Sequence, residues 1–161
     1  MLIQDELKDI LTYNLETGIF IWNKDVCKKC KAGQTAGSFD CGYIRITIKS
    51  KRFLAHRLAW LYINGTWPIH NIDHINGIKS DNRICNLRLA TIAENQQNRL
   101  NANANSTHGY LGITWNKKTN KWLSKIMLNK KRIHIGYFET AIEAHNAYIE
   151  TKRKLHIYCT I

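Results

Sequence analysis

The chain has 161 residues, 44% of them hydrophobic, and carries 24 Lys and Arg against 12 Asp and Glu, for a net charge of +12. That apolar share excludes wholesale disorder, and no run approaches the roughly 20 apolar residues needed to cross a bilayer. The acidic start (Met1, Leu2, Ile3, Gln4, Asp5, Glu6) does not read as a secretory leader, and the odd count of five irregularly spaced cysteines does not read as a disulfide framework. The expected setting is a reducing cytoplasm, and the basic excess suits a polyanionic partner, because phosphate contacts release counterions.

In chain order, Leu2–Leu11 reads as a short helix and Gly18–Trp22 as a strand. A glycine-punctuated stretch, 33–42, leads to Tyr43–Lys49, whose period-two alternation predicts a half-buried strand. Phe53–Ile63 reads as a helix with Leu54, Leu58, Leu61 and Tyr62 on one face, ended by Asn64-Gly65 and Pro68. A strand at 71–75, a polar loop at 76–83, a strand at 86–90 and a helix from 92 to about 100 follow. Thr91-Ile92-Ala93-Glu94 is a capping box, which sets Asn95 in the first turn, leaning back toward the preceding strand and Asp73. Residues 101–108 form a polar linker between expected domains at 1–100 and 109–161. Beyond it, Gly109–Trp115, Lys121–Leu128 and Lys131–Ile135 alternate as three strands, and a second capping box, Thr140 to Glu143, opens a C-terminal helix.

The run Ile72-Asp73-His74-Ile75-Asn76-Gly77 carries the chemistry: Asn86 follows His74 by twelve residues and Asn95 lies nine further on. Phosphodiester hydrolysis needs an activated water, neutralised charge on the phosphorane and help for the departing oxyanion. A histidine is substantially neutral at pH 7 and takes the proton. A hard cation held by a carboxylate and an amide oxygen supplies the rest, so Asp73 and Asn95 are candidate ligands for Mg²⁺ or Mn²⁺. Asn82 competes with Asn86 for the bracing position, although spacing and the following Leu87-Arg88 favour Asn86. His56 ranks below His74, and His70 reads as a turn residue. Arg83, Arg88 and Arg99 are candidate clamps on the DNA backbone.

Together with Ala55-His56-Arg57-Leu58-Ala59-Trp60, Gly65, Pro68, Asp81-Asn82-Arg83 and Asn86-Leu87-Arg88, this pattern resembles the His-Asn-His (HNH) endonucleases of phage and homing type. The variant is the one in which asparagine replaces the last histidine. The resemblance spans roughly residues 10–100 and implies an α+β fold with a ββα-metal active site. It assigns His74 as general base, Asn86 as the bracing asparagine, and Asp73 and Asn95 as metal ligands. It also implies products with 5′-phosphate and 3′-hydroxyl ends.

Cys27-Lys28-Lys29-Cys30 has knuckle spacing, and Cys41 and Cys85 complete a structural Zn²⁺ site only if the fold gathers all four. Downstream, Tyr110–Trp115, Lys121–Ile126, Ile135–Phe138 and the Glu143–Tyr148 stretch resemble the AP2 DNA-binding domain, a three-stranded antiparallel sheet backed by one helix. That resemblance turns Thr114, Asn116, Lys125, Met127, Arg132 and His134 toward the major groove. The expected protein is a metal-dependent nuclease on double-stranded DNA, in the cytoplasm of a bacterial host if phage-encoded, with no membrane partner and a monomer slightly favoured. The alternative is a non-catalytic DNA-binding protein built on a relict nuclease fold.

Overall fold

The computed structural model describes residues 1–98, 108–129, 131–156 and 159. Arg99 and residues 101–107 of the expected linker lie outside them. The chain separates into two compact units, Met1–Asn95 and Gln96–Ile161.

The first unit opens with α1 (Gln4–Ile10), which is shorter than the sequence predicts because Leu11 leaves the helix for a strand. That strand, β1 (Leu11–Tyr13), pairs antiparallel with β2 (Phe20–Trp22), Leu11 opposite Trp22 and Tyr13 opposite Phe20. A three-stranded sheet follows in the order β3 (Ser38–Asp40), β4 (Tyr43–Ile48), β5 (Lys51–Leu54). The predicted helix from Phe53 therefore begins later, as α2 (Ala55–Asn64), because Phe53 pairs with Ile46 in the sheet. Lys49 and Ser50 turn this hairpin with φ of +47° and +63°, the left-handed pair that a tight two-residue turn demands. Neither residue advertises such a turn in the sequence.

The core of this unit is fully buried Leu7, Leu11, Phe20, Ile46, Ile48, Leu58 and Leu61, drawn from α1, β1, β2, β4 and α2. Each such side chain contributes about 1.5–3 kcal/mol through removal from water. On this base stands a two-stranded ribbon, β6 (Asn71–His74) with β7 (Leu87–Ala90), joined through a single turn of 3₁₀ helix at Ile84–Asn86 and followed by α3 (Ile92–Gln97). The capping box of α3 forms as read: Glu94 N–H donates to Thr91 Oγ1 at 3.3 Å, and Thr91 N–H to Glu94 Oε2 at 2.7 Å.

The second unit is an antiparallel meander in the order β10 (Lys131–Phe138), β9 (Lys121–Leu128), β8 (Ile113–Asn116), with α4 (Ala141–Leu155) packed on it. Ser124 and Ile126 of β9, with Ala144 and Tyr148 of α4, are buried. Gly112 makes the packing possible: a Cβ there would lie 1.9 Å from the Tyr148 ring. Thr140 caps α4 reciprocally with Glu143. Among the described residues no helix is long and apolar enough to cross a membrane.

Candidate active site

The ribbon places Asp73 directly opposite Arg88 and His74 opposite Leu87. Antiparallel partners lie about 4.5–5.5 Å apart, within side-chain reach. The Arg88 guanidinium accordingly grips one carboxylate oxygen of Asp73, with Nε at 2.8 Å and a terminal nitrogen at 2.7 Å from Oδ2. Asp73 is 4% exposed, and a buried carboxylate is retained only where partners offset its lost hydration. Arg88, expected on the DNA backbone, is thus engaged by the candidate metal ligand. Arg83 is also engaged, in a bidentate pair with Asp81 at 2.8 and 2.6 Å. That guanidinium holds the Asp81 carboxyl down at about 2.

The loop after His74 is closed by its own polar side chains. Asn86 accepts from the Asn76 N–H through Oδ1 at 2.9 Å and donates to the Asp81 carbonyl at 2.9 Å. It therefore spans both sides of the loop. Asn76 donates to Asp81 Oδ2 at 2.7 Å, and the His74 carbonyl accepts from the Gly77 N–H at 2.9 Å. Asn82 is also buried, and its Nδ2 donates to the Ser80 carbonyl at 3.0 Å. Of the two asparagines that compete in the sequence, Asn86 bonds the loop backbone on both sides, while Asn82 holds the Ser80 carbonyl.

The first hairpin supports this loop from outside. The Tyr13 hydroxyl donates to the Asn82 carbonyl at 2.7 Å, and burial pushes that phenol up to about 12. Gly18, at φ +71°, lies so close that a Cβ would stand 2.4 Å from the Arg83 nitrogen.

His74 sits 6% exposed among rings. His56 meets it edge to face, with centroids 5.0 Å apart at 89°, and Tyr43 lies 5.5 Å from His56 and 6.1 Å from His74. Burial pushes the His74 pKa below its ordinary value; the neighbouring Asn82 amide and the charges of Asp73 and Asp81 oppose that shift, and Lys79 adds to it. His56, more deeply desolvated and facing His74 and Arg57, falls to about 3. Both rings are therefore neutral at pH 7, the form in which an imidazole accepts a proton. The packing of Tyr43 and Lys79 around His74 was not apparent in the sequence, because they come from elements that only the fold assembles.

Residues 53–97 match the family model of the HNH endonucleases. The chain is also 31% identical over 102 residues to protein 3.8 of Escherichia phage T7, across 63% of this chain and 83% of that protein. This chain belongs to the family of that phage protein and carries an HNH endonuclease domain. No solved structure matches it. The HNH match covers α2, the ribbon and α3, so it contains Asp73, His74, Asn86 and Asn95 and stops short of the C-terminal sheet.

Within the HNH domain, Asn95 is exposed in the first turn of α3, its N–H bonded to the Thr91 carbonyl at 2.9 Å. Asp73 and Asn95 offer a carboxylate and an amide oxygen, the hard donors that suit Mg²⁺ or Mn²⁺. A structural zinc site would require the fold to gather Cys27, Cys30, Cys41 and Cys85. All five cysteines are free thiols, and among the described residues no three His, Cys, Asp or Glu side chains gather into a metal site. Cys27 and Cys30 face each other across a tight turn, whereas Cys41 lies in the turn between β3 and β4 and Cys85 in the 3₁₀ turn before β7.

In the second unit, Met127, Arg132 and His134 are exposed, while Asn116 and Lys125 are half-buried. Thr114 is exposed on β8. Arg132 and His134 stand opposite Met127 and Lys125 across β9 and β10, which groups these four on neighbouring strands.

Proposed function

We propose that the protein hydrolyses phosphodiester bonds in double-stranded DNA, with His74 as general base. The observation that carries this reading is a buried, neutral imidazole beside Asp73, on a loop braced by Asn86, inside the segment that matches the HNH endonucleases. His74 takes the proton of the attacking water, and Asn86 keeps the loop in register. Asp73 and Asn95 would hold the divalent cation. When bound, that cation neutralises charge on the phosphorane and the departing 3′ oxygen. Arg88 orients the Asp73 carboxylate rather than clamping phosphate. The products carry 5′-phosphate and 3′-hydroxyl ends.

The C-terminal sheet, in the AP2-like reading, enters the major groove with Thr114, Asn116, Lys125, Met127, Arg132 and His134 and chooses the site. Its exposed basic face and the net charge of +12 support that role. Phage kinship supports action in a bacterial host's cytoplasm, and one active site per chain favours a monomer that nicks.

The test incubates purified protein and the His74→Ala variant with supercoiled plasmid and with phage or host genomic DNA, in Mg²⁺ and in EDTA. Metal-dependent nicking or linearisation that disappears in the variant is expected. Binding without cutting on every substrate replaces this reading with the binding-only one.

A further inference from the structure

The sequence offers arginines as phosphate contacts near the base, yet the fold employs two of them elsewhere. Arg88 is on Asp73 and Arg83 is on Asp81. Lys79 differs. It lies exposed on the loop that follows His74, and among the described residues it has no carboxylate partner. Its stem crosses Gly42, where a Cβ would stand 3.4 Å from the Lys79 Cδ, and its ammonium lies 5.1 Å from the centroid of the Tyr43 ring. That same ring touches His74, with centroids 6.1 Å apart. A single aromatic side chain therefore links the amine to the imidazole. A π face holds a cation in place without neutralising it, so the charge remains available to an anion.

We propose that Lys79, on its Tyr43 shelf, contacts a phosphate of the strand being cut, either the scissile group or its immediate neighbour. The assignment rests on the reading of His74 as the base of a DNA nuclease. Lysine suits the position as a compact point charge, whereas the two neighbouring arginines use their planar forks on carboxylates. The electrostatic influence of Lys79 on His74 agrees with this closeness. Gly42 lies along the stem and the Tyr43 ring holds its end.

The experiment compares wild type, Lys79→Met, Lys79→Arg and His74→Ala on supercoiled plasmid. Single-turnover cleavage in Mg²⁺ is measured, together with the salt dependence of binding to a DNA duplex in EDTA. Methionine keeps an apolar stem and removes the charge, and an exposed position spares the thermal unfolding midpoint. Lys79→Met is expected to slow cleavage by about ten- to a hundredfold. It should also flatten the slope of log affinity against log salt by about 0.9, the signature of one lost phosphate contact. Lys79→Arg should keep that slope and most of the rate. An unchanged slope and rate in Lys79→Met overturns the assignment and makes Lys79 a solvated surface charge. If the wild type does not cut, the His74 reading fails, while the salt slope still decides whether Lys79 meets phosphate.

Discussion

The ribbon of the first unit and the sheet of the second treat their polar side chains in opposite ways. Asp73, His74, Asn82 and Asn86 are all no more than 6% exposed, and each is held by neighbours. On the sheet, Arg132 and His134 stand in solvent and Met127 is 51% exposed. Burying a polar group costs folding energy unless it is bonded, so the ribbon's buried groups are tied to their partners in one geometry, which suits chemistry. The sheet's outer face carries no such cost and remains open to a partner, which suits recognition. Substitutions in the ribbon should therefore change rates and stability, and those on the sheet should change affinity.

The hardest test of this division is His74→Ala, which should slow plasmid cleavage by about 10²–10⁴-fold, the usual worth of a general base. Its affinity for DNA, measured in EDTA, should stay within about twofold. Asn86→Ala comes next. It removes the acceptor for the Asn76 N–H and the donor to the Asp81 carbonyl, at a cost of about 1–3 kcal/mol in chemical denaturation. Cleavage should fall with it, by about tenfold or more; full activity in this variant would mean that the loop does not need its brace.

Acid sharpens the contrast further. His56 is held at about 3, below its ordinary 6.5. Its contribution is therefore fully present above pH 6.5 and is lost as pH falls toward 3, at up to about 1.4 kcal/mol per pH unit. Unfolding of wild type and His56→Phe between pH 7 and 4 should diverge in that sense, and parallel curves would remove His56 from the account. Asp81 has the same sign in a lower window, its contribution fading from about 3.8 toward 2. The smallest effect belongs to the sheet: Arg132→Ala or His134→Ala should weaken duplex binding by about tenfold while leaving the ribbon's stability unchanged. Loss of unfolding stability in place of affinity would end the division of labour between the two units.

Much of the ribbon was legible in the chain. The alternation of 71–75 and 86–90 and the reciprocal Thr91 and Glu94 signal are local, and local patterns survive folding. The strands β1 and β5 were not, because three or four residues carry too little period, and the Lys49-Ser50 turn lacks the glycine that usually marks it. The fate of Arg88 follows from cross-strand register, and that of Arg83 from a carboxylate two residues away; neither separation is visible in composition. The cluster of Tyr43, His56, Lys79 and His74 joins β4, α2 and the loop after β6, so only tertiary packing creates it.

The contact of Gly18 and Tyr13 with the loop backbone has a practical consequence. The segment 53–97 contains every residue of the HNH pattern, yet the wall against which its loop is pressed is made by residues dozens of positions upstream. A fragment cut to the motif would keep its signature in any sequence search and lose the mould that shapes it. For domain swaps and minimal editing tools, the portable unit therefore begins at the amino-terminal hairpin and not at the motif.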